Sequence, residues 1–389
     1  MAAGGDTLGR LPDGRVVFCE GGLPGEEVQV ELLDARRDYA RARVAIVDVA
    51  SPDRVSPPCA NAGAGCGGCQ WQHVAAEAQL RHKAAVVADS FRRLAHLEPP
   101  PGPLPRALAP EAYRTTVRMA VDGDGRPAYR HRHTNDTMAV GDCLISHPLL
   151  EELITGVRLR PGSGRAEVGL RVGVAGGERL VLPSGGAVVV EAPVDAVVVG
   201  PKSDAVFHEV AGGRRWQVSG RSFFQSGPAA ADLLSEVVDV AVGPLDASVT
   251  VVDLYAGVGL LGGVVAARSG CHLVAVESSP GAAADAATNL RDLDADIRAE
   301  AVDAWTPVPA DVVVADPARP GLGRPGVAAA TATGARRIVL VSCDPASGAR
   351  DAALLHEAGY RPTALAVLDL FPHTFHVEAV TTYERDERP

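Results

Sequence analysis

The stretch VTVVDLYAGVG, residues 249–259, sets the fold: a short run of β-branched residues passes directly into a glycine turn. Working outward from it, apolar segments alternate with Ala-rich ones. A helix is expected at 228–242, and strands at 272–277, 311–315, 337–342 and 364–370. Such alternation buries both faces of a sheet whose strands run mostly parallel. The expected class is multi-domain α/β, with a Rossmann-like domain carrying helices on both sheet faces.

Upstream the texture differs. Residues 6–50 hold short strand-like runs, among them VVF at 16–18 and VQVEL at 28–32, punctuated by Asp13-Gly14 and Pro24-Gly25. They read as a small OB-like β-barrel. Residues 73–97 form a helical pattern with Ala76, Leu80, Ala84, Val87, Phe91 and Leu94 on one stripe, stopped by the Pro-rich 99–105. Residues 105–215 are β-rich, with no helix expected. The resulting division is a barrel at 1–52, a central β-rich domain at 53–71 and 104–217, and a Rossmann-like domain at 72–103 and 218–389.

The 47% apolar and 22% charged residues are those of a folded globular chain. No run of about 18 apolar residues exists and the N-terminus resembles no leader, so a cytoplasmic protein without a membrane partner is expected. A net charge of −11 excludes a wholesale polyanion binder. The charge is uneven, with 17 Lys/Arg against 18 Asp/Glu in residues 1–150 and 20 against 30 in the rest. An RNA-facing surface is therefore sought among Arg114, Arg118, Arg126, Arg130, His131, Arg132 and His133.

A Gly-x-Gly turn alone fits a dinucleotide enzyme, a methyltransferase or a plain tight turn. Asp253 at the end of the strand, and the missing third glycine of a dinucleotide fingerprint, favour S-adenosylmethionine over NAD. Glu277 closes the second strand, where an acid binds ribose hydroxyls, and Asp303 follows where such folds place an acid beside adenine. The strand ending at Ala315 runs into Asp316-Pro-Ala-Arg319, with no aromatic placed to stack a base for amine methylation. Further on, Ile338–Ser342 delivers Cys343, and Glu378 follows 35 residues later.

Cys59, Cys66 and Cys69 lie in a Gly-rich loop, and Cys143 is the natural fourth partner. Such thiols in a cytosolic chain favour a metal over disulfides, and zinc or an iron–sulfur cluster fits the spacing. Cys19 and Cys271 lie in apolar context and are expected to be buried bystanders.

The segments FFQSG (223–227), DLYAGVG (253–259), DPARPG (316–321), SCDP (342–345) and FPHTFHVE (371–378) occur in an order that resembles the class I S-adenosylmethionine-dependent RNA 5-methyluridine methyltransferases. The N-terminal barrel resembles the TRAM RNA-binding domain of the 23S rRNA (uracil-C5) type. The resemblance implies that Gln225, Tyr255, Gly257, Glu277 and Asp303 contact the cofactor and that Asp316 lies between cofactor and uracil. It assigns Cys343 as nucleophile and Glu378 as general base. It also implies a [4Fe–4S] cluster, rather than zinc, on the four cysteines.

Gly227, Ala318, Asp344 and Leu260 depart from the usual residues at their positions. The partners implied are ribosomal RNA first and transfer RNA as an alternative, bound by a monomer. A cytosine or metabolite methyltransferase, and a non-catalytic RNA-binding protein retaining the fold, are the competing readings; a cytosine enzyme would carry its thiol after proline, and here Ser342 precedes it.

Overall fold

The computed structural model describes residues 1–160, 162, 165–200 and 202–386; residues 161, 163, 164, 201 and 387–389, from the expected central and Rossmann-like ranges, lie outside them. The N-terminal unit is a four-stranded sheet, ordered β1-β2-β4-β3, of β1 (Thr7–Arg10), β2 (Val16–Glu20), β3 (Glu27–Ala35) and β4 (Tyr39–Val49). Its core is small, built on Val17, Ala40 and Ala42.

After the short helix α1 (Ala60–Gly63) comes α2 (Ala76–Ser90), whose last turn widens into a π-helix over Phe91–Ala95. The buried face matches the expected stripe only in part: Val87 and Phe91 are buried and Ala84 packs against the same core. It holds Ala78, Gln79, Lys83, Val86, Val87 and Ser90, while Ala76 is exposed and the π-turn carries Leu94 out to solvent. Two long polar side chains therefore point inward.

The two-residue β5 (Arg106–Ala107) precedes a six-stranded central sheet ordered β13-β11-β10-β6-β7-β8, with β6 (Thr116–Val121), β7 (Pro127–Arg130), β8 (Thr137–Ala139), β10 (Glu167–Val172), β11 (Arg179–Ser184) and β13 (Ala196–Val198). Strands β9 (Arg158–Arg160) and β12 (Val188–Glu191) pair beside it. Contrary to expectation this region contains a helix, α3 (Pro148–Gly156). Pro148 opens it, His147 Nδ1 accepts from Leu149 N at 3.3 Å, and Leu150, Leu153 and Ile154 seal it against the sheet. The hairpin β14 (Val206–Ala211) and β15 (Arg214–Ser219) also departs from the drawn boundary at 217. Phe207, Trp216 and Val218 bury into the core of the catalytic body rather than the central one.

The catalytic sheet has eight strands ordered β18-β17-β16-β19-β20-β22-β21-β5: β16 (Thr250–Leu254), β17 (His272–Val276), β18 (Ala295–Arg298), β19 (Val312–Ala315), β20 (Arg337–Ser342), β21 (Tyr360–Asp369) and β22 (Glu378–Arg385), with β5 at the edge. Alternate residues of each strand enter opposite cores. Val251, Val314 and Val341 face α4 (Pro228–Val242) and α5 (Leu260–Ser269); Val252, Val313 and Leu340 face α2, α7 (Gly323–Ala332) and α8 (Pro345–Glu357). Helix α6 (Pro280–Asn289) completes the crossover between β17 and β18. Strands β16 to β20 run parallel, whereas β22 is antiparallel to both neighbours. That reversal brings the first residue of β22 to the carboxyl end of β20. Among the described residues, no helix is long and apolar enough to cross a membrane.

Candidate active site

Parallel strands of unequal connection share one property: their carboxyl ends open on the same edge, where ligands bind. On that edge the strand order sets Glu277 (after β17), Tyr255 and Gly257 (after β16), Asp316 (after β19), Cys343 (after β20) and Glu378 (first of β22) side by side.

The turn after β16 is tight. Tyr255 has φ 62°, a left-handed conformation rare for a side chain of that size, and Gly257 and Gly259 also have positive φ. Glu277 is fixed across this turn, accepting from Gly257 N at 2.9 Å and from Ser279 N at 2.6 Å. Below it Asp253, 1% exposed, accepts from Gly262 N at 2.9 Å while its second oxygen has no partner; burial pushes its carboxyl up to about 7. Asp303 is exposed on the turn above Tyr255 and, through its charge, helps burial to raise that phenol.

Gln225 is buried on the connection leading to α4. Ser222 of that connection donates to Asp285 of α6 at 2.6 Å, and Ser226 O accepts from Thr115 N at 2.8 Å, so the segment ties the central domain to the cofactor edge. The departure at Gly227 has a steric cause: a Cβ there would lie 2.3 Å from Tyr113 O.

At the other end of the edge, Ser342 pairs with Ala379, so Cys343 and Glu378 occupy the next register position. Directly opposed antiparallel residues project to the same face, with Cβ atoms about 5 Å apart. Glu378 is buried, and its Oε2 has no partner. Burial first, then the Asp316 charge, holds its carboxyl well above the ordinary range. Burial, Glu378 and Asp316 together push the Cys343 thiol up to about 12, against the opposing pull of Arg319, and burial raises Asp316 to about 6. Without substrate the thiol is therefore neutral.

Asp344 departs from the family pattern as the N-cap of α8, accepting from Ser347 N at 2.8 Å ahead of Pro345. A pocket of about 250 Å³ joins Cys343 to Arg319, His376, Phe375, Lys83 and the N-terminal residues Ala2 to Gly4. Sequence reasoning gives no role to Lys83, the N-terminal turn or His376. Lys83 had a signal, since a lysine on the apolar face of a helix, in a chain with two lysines, stands out.

The other cysteines divide as their context suggests. Cys19 and Cys271 are buried. Cys59, Cys66, Cys69 and Cys143 line one predominantly apolar pocket, with Tyr129 Oη 3.9 Å from Cys143 Sγ and Cys59 N donating to Gln72 Oε1 at 3.0 Å. Burial raises the Cys66 thiol and pushes Cys69 up to about 11. Among the described residues, no three His, Cys, Asp or Glu side chains are drawn together closely enough to hold a single metal ion.

A cleft of about 520 Å³ opens between the N-terminal sheet and the central sheet, lined by Arg41, Arg118, Arg130, Arg132, His131 and His133, with Phe18 among them. Glu167 is shared by Arg118 and Arg130, and Glu20 by Arg132 and Arg43, so guanidinium groups outnumber the acids that hold them. Two expected members are elsewhere. Arg114 packs 6.0 Å over the Tyr113 ring with its Nε buried and unpaired, and Arg126 pairs with Asp124 on an exposed turn.

The TRAM domain family matches residues 3–45. Over 99% of its length the chain is 35% identical to an uncharacterised RNA methyltransferase of Streptomyces coelicolor, covering 91% of that protein. It is 32% identical to the 23S rRNA (uracil(1939)-C(5))-methyltransferase RlmD of Methylococcus capsulatus, with 96% of this chain and 93% of that protein aligned. The fold resembles that of the Pyrococcus abyssi tRNA (uracil-54, C5)-methyltransferase solved with S-adenosyl-L-homocysteine. The TM-score is 0.69 at 22% identity, spanning 97% of this chain and all of the other.

Proposed function

The chain belongs to the TRAM-containing RNA (uracil-C5)-methyltransferase family, and on that basis we propose that it methylates carbon 5 of a uridine in 23S rRNA through a transient bond from Cys343 to the base. The observation that carries this reading is the closeness of Cys343, next after the Ser342–Ala379 pair, to the Glu378 carboxyl that acts on it, at the edge shared with the glycine turn and Glu277.

Carbon 5 of uracil is too weakly nucleophilic to take a methyl group unaided, so covalent activation splits the step in two. When bound, S-adenosylmethionine supplies an electrophilic methyl group. Cys343, its proton passed to solvent, bonds through Sγ to carbon 6, and the displaced C5=C6 electron pair makes carbon 5 nucleophilic enough to accept the methyl group. Glu378 then accepts the carbon 5 proton, the carbon 6–sulfur bond breaks, and the thiolate is regenerated. Gln225, Tyr255, Gly257, Glu277 and Asp303 are the cofactor contacts in this reading, with Asp316 between cofactor and base. Arg319 beside Cys343 favours the thiolate.

The four-thiol pocket suits a [4Fe–4S] cluster better than zinc. Its lining is predominantly apolar and holds all four thiols. Bound there, it would bring the loop at 59–69 and the segment around Cys143 together. The arginine-lined cleft takes the RNA backbone, and the protein acts in this reading as a cytoplasmic monomer. Mapping 5-methyluridine across ribosomal and transfer RNA, with and without the gene, tests the substrate: loss of one 23S site supports it, and loss in transfer RNA alone overturns the ribosomal assignment.

A further inference from the structure

The connection from β21 to β22, residues 370–377, delivers Glu378 to the thiol, yet it is an irregular loop between two antiparallel strands. Its backbone polar groups are met from outside. Lys83 Nζ donates to Phe371 O at 3.2 Å, Tyr113 Oη to Pro372 O at 3.0 Å, His373 N to Gln79 Oε1 at 2.7 Å, and Trp71 N to His373 O at 2.8 Å. His373 itself has φ 68°, a conformation that persists only where its surroundings over-determine it.

Helix α2 provides the frame. Gln79 and Lys83 are one helical turn apart on its buried face, each 1% exposed. Lys83 Nζ also lies 2.5 Å from Asp369 Oδ1, at the carboxyl end of β21, and 5.9 Å from the centre of the Trp71 ring. Leu368 pairs with Glu378, so Asp369 stands one register step beyond the base. Burying a lysine at this depth costs several kcal/mol unless its partners are well placed, and a leucine would fill the same core without that cost. Such a pair is retained where it selects one arrangement over others.

Resting on the reaction proposed above, we infer that Lys83 and Gln79 are positioning residues that hold residues 371–373 in one conformation, so that the Glu378 carboxylate meets the carbon 5 proton. Neither side chain touches substrate in this role. Their loss leaves Cys343, which follows β20, where it is, and slows the step that needs Glu378.

The two halves of the reaction separate experimentally. On RNA carrying 5-fluorouridine at the target, the adduct forms and takes the methyl group but has no carbon 5 proton to lose, so trapping reports Cys343 alone; turnover on ordinary RNA requires Glu378 as well. With full-length protein loaded with its metal centre, Gln79→Met and the double change Lys83→Met/Asp369→Leu are compared with wild type. The double change leaves no buried charge unpaired. Expected are trapping rates within about threefold of wild type, unchanged KM for RNA, kcat lowered at least tenfold, and a covalent species accumulating on ordinary RNA. Should kcat stay near wild type, or trapping and turnover fall together, the inference is overturned. If wild-type protein gives no trapped species at all, it is the covalent reaction itself that fails.

Discussion

Cys343 and Glu378, 35 residues apart in the chain, are opposed positions of one antiparallel seam, one step beyond the Ser342–Ala379 pair. Among the described strands of this sheet, β22 is antiparallel to both its neighbours, and its first residue is thereby brought beside Cys343; these are the base and nucleophile of the proposed reaction. The same proximity gathers a thiol and two carboxyl groups, those of Glu378 and Asp316, into one cluster whose charges oppose one another, with Glu378 buried and the other two half-buried.

That cluster dictates the pH response. All three groups are held protonated above their ordinary ranges, and the proposed reaction needs the thiolate and then the carboxylate. Activity should rise with pH along a limb whose midpoint belongs to the cluster as a whole and lies well above that of an ordinary carboxyl. In Asp316→Asn one repelling charge is gone, so the limb should move to lower pH even as its height falls. A pH profile of kcat/KM in both proteins checks this, and an unmoved limb would mean that Asp316 does not act on the pair.

Asp253 gives a stability counterpart. Its folded value of about 7 lies above the unfolded value, so the native state holds a proton that the unfolded chain releases. Its contribution is present below about pH 4 and is lost as pH rises toward 7, on the order of 2–4 kcal/mol. Asp253→Asn, which keeps an acceptor for Gly262 N, should flatten the fall in stability across that window in urea titrations.

Gly227→Asn restores the residue usual in the family and should still harm the protein. Its Cβ would meet Tyr113 O, and relieving the contact means parting the 220–227 connection from the central domain, at a cost on the order of 1–3 kcal/mol. A lower urea midpoint, together with weaker S-adenosylmethionine binding if Gln225 is the cofactor contact proposed above, is the expected outcome by denaturation and calorimetry.

If the four thiols hold the proposed cluster, removing it should be felt at the 370–377 loop. Trp71, two residues after Cys69, donates to His373 O through its backbone and to Gly5 O through its indole. Chelation, or Cys69→Ser, should redshift Trp71 emission and speed hydrogen exchange over 371–377, independent of any activity measurement. Unchanged exchange there would confine the centre to the central domain.

Much of the catalytic sheet is legible in sequence because parallel strands buried on both faces are continuous apolar runs, as in Ile338–Val341, and each ends in a chemically distinctive residue. Helix α3 is hidden by its nine-residue length within a strand-rich region, although Leu149, Leu150, Leu153 and Ile154 carry the helical spacing. The stripe on α2 is misread because periodicity counts apolar residues, whereas tertiary packing turned Gln79 and Lys83 inward. The frame around residues 371–373 joins segments some 290 residues apart, and no local pattern encodes such contacts.

The most direct measurement is the intact mass of the protein after incubation with S-adenosylmethionine and target RNA bearing 5-fluorouridine, followed by mapping of the modified peptide. A stable adduct on the peptide containing Cys343, absent in Cys343→Ala, is the predicted result. Methylation of ordinary RNA that persists in Cys343→Ala, with no adduct on either protein, would contradict it.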